Sequence, residues 1–308
     1  MISFRYHIVT IVAVFLALAI GLLAGSAFVQ PELVDQLQRQ TDQLREDLRA
    51  RDEALTEVRA EVAALAGFAD ATLPYLTSDR LVGTQVVVLS QEGVEDAVLG
   101  QTQRSLVDSG AEVLAVLSAR NELASQDPET QAGLAEILLR PDAVPEDLPS
   151  LAAAAIAERL SLGNGIGSPG EDLLNQLLSA GFLAPVGTGV SEAALQEIGA
   201  PGQIVVVLGG GSVEEPVLPL EEFGVPLVRS LVSLEVPVAA GESSTTLVPF
   251  VGLILEDGTD GVVTVDDLDL SMGGAALVLG LDSLLERGEG GAYGFKDGAE
   301  PLPPLPPS

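Results

Sequence analysis

The sequence predicts an α/β protein in which an N-terminal transmembrane helix and a coiled coil precede an open, mostly parallel sheet with flanking helices. Three observations predict this arrangement: an uncharged apolar run, a heptad repeat after it, and short apolar runs that alternate with helical stretches. We divide the chain into a transmembrane anchor, a coiled coil, an extracytoplasmic α/β domain and a proline-rich tail, at residues 1–29, 30–67, 68–296 and 297–308.

The uncharged run extends from Ile8 to Val29 and, at about 1.5 Å per residue, can cross about 30 Å of hydrocarbon. The alternative is a cleaved signal peptide, since the small residues 24–27 are typical of a cleavage site. A retained, single-pass anchor is favoured because the run is longer than a signal-peptide core and only Arg5 precedes it. Acids follow the run, so the positive-inside rule places the N-terminus in the cytoplasm and the bulk of the chain outside.

Two patterns predict a homodimer. Small residues recur at every fourth position of the anchor, which suits close packing of two helices in lipid; they are Ala13, Ala17, Gly21 and Gly25. After Pro31, seam residues alternate at steps of three and four, with Thr41 and Arg51 as polar exceptions. The apolar seam positions are Val34, Leu37, Leu44, Leu48, Leu55, Val58, Val62 and Leu65. The alternative is a single amphipathic helix lying against the globular domain, because the two periods separate poorly over four heptads.

The body begins near Tyr75 and is predicted to be a Rossmann-like sheet. A β-branched run, a helical stretch and a second apolar run, at 84–89, 94–108 and 112–117, have the size of one right-handed βαβ unit. Fully apolar strands suit a parallel sheet that is covered on both faces. Further strands are predicted at 204–208, 236–239 and 262–265, and further helices at 151–160, 171–180, 245–255 and 273–286. The proline-rich end predicts an extended, unpacked tail or a ligand for a proline-recognising groove.

Two glycine-rich stretches invite comparison with nucleotide-binding loops. Residues 163–167 follow a predicted helix rather than a strand, so a connector between helices is favoured there. Residues 209–212 follow a strand, but Glu214 and Glu215 behind them would repel a phosphate, and Pro216 disfavours a helix start. We therefore predict no cofactor-binding residue and no required cofactor.

The composition excludes most catalytic chemistry. With 45 acidic and 14 basic residues the net charge is −31, which argues against a nucleic acid partner because phosphate binding needs basic patches. The chain has no cysteine and a single histidine, His7, so the body cannot hold a Ser-His-Asp triad or a thiolate metal site. We therefore predict that the protein is not an enzyme and assign no catalytic residue.

Three aspartates at the end of a predicted strand are the candidate metal ligands. Asp266, Asp267 and Asp269 could bind a hard cation, calcium or magnesium, through carboxylate oxygens. The favoured alternative is a turn in which aspartate side chains cap backbone amides.

Both ends of the chain resemble one family. Residues 1–7, Met-Ile-Ser-Phe-Arg-Tyr-His, lead into an apolar segment, and the late string Thr264-Val265-Asp266-Asp267 is followed by Tyr293-Gly294. With the coil and the α/β body between them, these segments resemble the actinobacterial family of mycobacterial copper transport protein B. The resemblance implies an envelope protein that limits intracellular copper. It supplies no metal site, because copper prefers Cys, Met and His, and only Met272 is of these types after position 29.

These observations predict a membrane-anchored, dimeric envelope protein that acts in binding or scaffolding, with other envelope proteins as partners. Copper homeostasis is the function that the resemblance implies. The alternative from another class is an extracytoplasmic ligand sensor or a carboxylate-dependent enzyme on the same fold. It would use a pocket at the carboxyl ends of the strands, with Asp266 and Asp267 as its carboxylates.

Overall fold

The computed structural model describes residues 4–27, 31–163, 172–187, 191–211, 216–296 and 298–303. The chain divides into two compact units, Met1–Leu65 and Ala66–Ser308. The predicted α/β class, with an N-terminal apolar helix and a mostly parallel sheet, is confirmed.

The first unit is helical throughout its described part. Helix α1 covers Phe4–Ala27, and the segment Arg5–Gly25 has a mean hydropathy of 2.8. Among the described residues, α1 is the one helix whose length and composition would allow it to cross a membrane. The long helix α2 begins at Pro31, and its heptad seam lies in this unit up to Leu65.

Helix α2 is longer than the sequence predicts. It runs from Pro31 to Thr77, through Gly67 and Pro74, where an end near residue 67 was expected. Its 47 residues correspond to about 70 Å of helix. In the second unit, Leu73 and Thr77 are buried, so tertiary packing stabilises turns that glycine and proline disfavour.

The second unit contains a sheet of seven strands among its described residues, in the order β3-β2-β1-β4-β5-β6-β7. The strands are β1 Gln85–Gln91, β2 Glu112–Ala119, β3 Leu183–Pro185, β4 Ile204–Leu208, β5 Val238–Gly241, β6 Val263–Val265 and β7 Gly291–Tyr293. Only the edge strand β3 pairs antiparallel in this described sheet. The order reverses at the central pair β1 and β4, which is a topological switch point.

Helices cover both faces of the sheet because its central strands are apolar on both sides. Val87 and Leu89 of β1 point into one core, and Val86 and Val88 point into the other. The first core is closed by α4 Pro128–Ile137, α5 Leu148–Leu162, α6 Leu173–Ser179, α8 Gly224–Ser233 and α9 Phe250–Asp257. The second is closed by α3 Asp96–Asp108 and α10 Ser271–Arg287. Helix α7 covers Glu192–Glu197, and short 3-10 turns cover Asn121–Ala124 and Pro145–Asp147.

Most of the predicted elements of the body correspond to observed ones. The five predicted strands correspond to β1, β2, β4, β5 and β6, and the five predicted helices of the body to α3, α5, α6, α9 and α10. Helices α4, α7 and α8 and the edge strands β3 and β7 were not predicted.

The C-terminal segment differs from the expected unpacked tail. Glu300 forms a bridge to Tyr293, and Leu302 packs against the second core. Residue 297 and residues 304–308 of the predicted tail lie outside the described residues.

A buried ion pair holds the first core together at α5 and α6. The Arg159 guanidinium donates to the Asp172 carboxylate and to the carbonyl oxygens of Ile198, at 2.7 Å, and Leu195, at 2.9 Å. Both charged side chains are almost completely buried. One guanidinium thus joins α5, the start of α6 and the end of α7.

Replacing this arginine should therefore destabilise the body strongly. We expect R159M to lower the free energy of unfolding by about 3–5 kcal/mol, because Asp172 is left as an uncompensated buried charge. R159M/D172N should be more stable than R159M alone, since the charge is then removed. Denaturant unfolding measures both, with R140M at an exposed arginine as the matched control. An R159M variant as stable as R140M would contradict the prediction.

Candidate functional site

The carboxyl edge of β6 and β7 brings together the predicted aspartates. Asp266 follows β6 and accepts hydrogen bonds from the backbone amides of Phe295, at 2.8 Å, and Lys296, at 3.0 Å. Gly294 has a φ of 130°, and a side chain there would collide with the Asp266 carboxylate. Asp266 therefore anchors the turn after β7, and the turn requires glycine at position 294.

An ion pair that sequence analysis missed lies beside Asp266. Glu242 follows β5 with its side chain fully buried, and its Oε1 accepts from Lys296 Nζ. Its Oε2 accepts from the backbone amide of Val251, at 3.1 Å, in the first turn of α9. Burial raises the pKa of Glu242, and the Lys296 ammonium opposes that shift. Lys296 is the only lysine of the chain, which is the one sequence signal that could have drawn attention to it.

Asp269 has a different set of partners. Its carboxylate accepts from the Ser244 backbone amide, at 2.6 Å, and from the Ser244 hydroxyl, at 2.8 Å. It therefore connects the turn after β6 to the loop after β5. Asp266 and Asp269 both act as the backbone-capping aspartates that the alternative interpretation of the sequence describes.

Asp267 is the exception at this edge. Its side chain is fully buried, and neither carboxylate oxygen has a hydrogen-bond partner among the described residues. It lies against the first turn of α10, where a Cβ on Gly273 would collide with it. Burial, and then the negative charges of Asp266 and Asp269, raise the pKa of Asp267 to about 7. This carboxyl group can therefore carry a proton near neutral pH.

The arrangement does not assemble the three aspartates as one ligand set. No group of three or more His, Cys, Asp or Glu side chains among the described residues is placed to hold a metal ion. Two of the three carboxylates are already engaged by amide and hydroxyl donors. The hard-cation site therefore gains no geometric support, although calcium and magnesium binding stays a testable prediction.

Among the described residues, the switch-point crevice between β1 and β4 is narrow. The glycines after β4 approach the loop after β1 so closely that a Cβ on Gly211 would lie 2.9 Å from the Gly93 carbonyl oxygen. The Thr246 hydroxyl accepts from the Gly211 amide, at 2.8 Å. A gap of about 10 Å³ is left among the described residues here, which is about what one water molecule needs. Residue 212 and residues 164–167 of the two glycine-rich stretches lie outside the described residues.

A polar cleft of about 270 Å³ lies on the second-core side of the body. It is lined by the last turns of α2, by α3 and by the first turn of α10, including Asp70, Thr77, Arg104, Ser105, Ser271 and Gly274. The Ser271 hydroxyl donates to the Asp70 carboxylate. No local sequence signal predicts this cleft, because its walls come from three segments that are distant in sequence.

The predicted dimer faces are free in the single chain. The seam residues Leu37, Leu44, Leu48, Leu55, Val58, Val62 and Leu65 are 51–62% exposed on α2. The small residues Ala13, Ala17, Gly21 and Gly25 are exposed on α1, and no atom lies within 4 Å of a Cβ built on either glycine. The side chain of Val34 lies outside the described part of the chain. The homodimer and the coiled coil therefore stay predictions.

The raised pKa of Asp267 predicts that the body loses stability as pH rises. The folded state binds the Asp267 proton more tightly than the unfolded state does, so its stabilising effect is complete below about pH 4. This stabilisation is lost as pH rises to about 7 and above, and the loss lowers the free energy of unfolding by at most about 4 kcal/mol. D267N should flatten this profile and raise the free energy of unfolding at pH 8, leaving a smaller slope of the same sign from Glu242. Urea unfolding between pH 5 and pH 8 measures the effect, with the exposed-site variant D260N as control; equal slopes in D267N and D260N would disprove it.

Similarity to known proteins extends over nearly the whole chain. The family model described as copper transport outer membrane protein, MctB, matches residues 1–304. Proteins named copper transporter MctB from Mycobacterium tuberculosis and Mycobacterium bovis are each 28% identical, over 97% of this chain and 98% of their own. The protein of that name from Mycobacterium leprae is 26% identical over the same shares. The resemblance seen at the two ends of the sequence is thereby confirmed, and the chain belongs to the MctB family.

Proposed function

We propose that this chain acts in copper homeostasis at the cell envelope as a membrane-anchored, dimeric and non-enzymatic binding or scaffold protein. Membership of a family described by copper transport supports the copper role and the envelope location. The apolar helix α1 supports a single-pass anchor. Arg5 before it and acids after it support a cytoplasmic N-terminus and an extracytoplasmic body.

The observation that carries the scaffold proposal is the exposed apolar seam of α2. Seven apolar residues at heptad spacing are each more than half exposed in the single chain. A long helix with such a stripe is stable in water only when another surface covers the stripe. A second copy of the chain covers it in this proposal, and the two bodies then present their acidic surfaces to other envelope proteins.

The residue chemistry supports an indirect role in copper handling. Cu(I) prefers Cys and Met ligands, and either oxidation state of copper binds His. The chain has no cysteine, one histidine and two methionines, and Met272 lies in the first turn of α10. In this proposal copper is the cargo of a pathway in which the chain participates, and the copper ligands belong to partner proteins.

The narrow switch-point crevice of the described residues supports a non-catalytic body. The strand order β3-β2-β1-β4-β5-β6 supports the Rossmann-like assignment, since doubly wound sheets share it. Such folds bind ligands outside the carboxyl ends of the strands, where the order reverses. A gap of about 10 Å³ there favours a scaffold over a sensor or an enzyme. The polar cleft at α2, α3 and α10 is instead the candidate surface for binding another molecule.

Breaking the seam should abolish the function. We expect L48D/L55D to shift the chain toward monomer and to leave cells that lack the native gene copper-sensitive, because both charges would lie on the seam. A50D/T56D is the matched control, with two new aspartates on the outward face of the same turns. Sedimentation in detergent and copper accumulation in cells are the two measurements. A dimeric L48D/L55D protein, or one that restores copper tolerance, would refute the proposal.

Direct copper binding should be weak. We expect calorimetry of the full-length chain with Cu(II), and with Cu(I) under reductant, to detect no stoichiometric site tighter than about 1 μM. Calcium or magnesium should account for any metal effect near Asp266, Asp267 and Asp269. A tight copper site that is lost in D266N/D267N would show that the chain coordinates copper itself.

A further inference from the structure

The seam of α2 contains one charged side chain, Arg51. In the described part of the chain the Arg51 guanidinium has no hydrogen-bond or ion-pair partner, although its side chain is exposed on the seam face. Thr41, the other polar seam residue, is satisfied on its own helix, because its hydroxyl donates to the Leu37 carbonyl oxygen at 2.7 Å. A guanidinium enclosed by a second helix must find an acceptor there or lose stability. The covering surface therefore has to supply an acceptor at the level of Arg51, and an acid there would also neutralise its charge.

The flanking positions of the same helix meet this requirement in one alignment. With Val34 as position a, Arg51 is a d residue, and the e residues that follow the five d positions are Gln38, Arg45, Asp52, Arg59 and Ala66. In a parallel two-stranded coil a d side chain packs into a hole whose rim includes the e residue that follows the facing d residue. Arg51 of one copy then meets Asp52 of the second copy when the helices are in register.

Alignments that are shifted out of register place another positive charge against Arg51. A shift of one heptad in either direction places Arg51 against Arg45 or Arg59 of the second copy. Asp52 is the one acid among the five e positions, so alignment in register is the one that neutralises Arg51. Like charges in a seam disfavour an incorrect pairing, which is how natural coils select a register.

The contact of Arg51 with Asp52 of the second copy also explains why an acid, Asp47, occupies the neighbouring g position. In the alignment in register, the g residue Asp47 faces the e residue Asp52 of the second copy, which alone would be repulsive. Arg51 lies four residues after Asp47 on its own helix, so its guanidinium lies between these two acids. Arg51 in the seam is unfavourable by itself, and so is the pair of acids Asp47 and Asp52. When they lie together, the positive charge of Arg51 offsets the repulsion between the two acids.

We propose that α2 pairs with α2 of a second copy, in parallel and in register, and that the contact of Arg51 with Asp52 of the second copy determines this register. The inference rests on the dimer proposed above and adds its geometry and its specificity-determining residues. A parallel pair also places the two α1 helices side by side at the same end, as anchors in one membrane require.

The first test is a charge exchange in the full-length chain, with self-association measured by dilution in detergent. R51D places three acids together and should weaken the dimer by about tenfold or more. R51D/D52R should recover to within about threefold of wild type, whereas R51D/E53R, with the same net charge but its arginine on the outward face, should not. Equal recovery in the two double variants would overturn the proposal.

The second test reads the register directly. The chain has no cysteine, so L48C and L55C on differently tagged copies carry the only thiols. In register the two thiols of a mixed dimer are about 10 Å apart along the axis, too far for a disulfide. Oxidation should give disulfides only between like-tagged copies, and R51L should introduce mixed disulfides by permitting the one-heptad slip. Mixed disulfides with Arg51 in place would overturn the register. A wild-type chain that is monomeric would overturn the dimer itself, so the two failures are distinguishable.

Discussion

The body depends on one constraint: its central strands must be buried on both faces. Every residue of β4 is buried, and alternate residues of β1 enter two separate cores. A parallel pair of this kind cannot face water on either side, so helices must return over both faces. Four buried or part-buried acids, Glu242, Asp266, Asp267 and Asp269, lie just beyond the ends of the strands rather than within them.

The carboxyl edge shows how the body accommodates acids in a low-dielectric place. Asp266 and Asp269 receive amide and hydroxyl donors, and Glu242 receives the Lys296 ammonium. The contacts of Asp266 and Glu242 hold the segment after β7 to the sheet, together with the bridge of Glu300 to Tyr293 and the packing of Leu302, so a stretch that is rich in glycine and proline becomes part of the folded body. Asp267 has no such donor among the described residues, and burial, followed by the negative charges of Asp266 and Asp269, raises its pKa to about 7.

The body and the seam of α2 differ in how far their side chains find partners within the chain. Most buried polar groups described in the body are satisfied internally, and the described residues leave only a small gap at the crevice that doubly wound folds use for ligands. The seam of α2, in contrast, leaves apolar side chains and one guanidinium without partners inside the described chain. Exposed apolar side chains and unpaired charged groups of this kind are typical of protein–protein interfaces. Helix α2, rather than the edge of the sheet, is therefore the favoured place for association with a second chain.

The sequence by itself determined the features that depend on local periodicity: the apolar helix α1, the heptad seam of α2, the strands β1 and β4, and the family to which the chain belongs. It also indicated that Asp266 and Asp269 would cap backbone amides. Only the tertiary structure decided that α2 continues past Gly67 and Pro74, that three-residue strands form both edges of the sheet, and that Arg159 pairs with Asp172 and Lys296 with Glu242. These features are stabilised by contacts between residues far apart in the chain, and such contacts leave no periodic signal in the residues that make them.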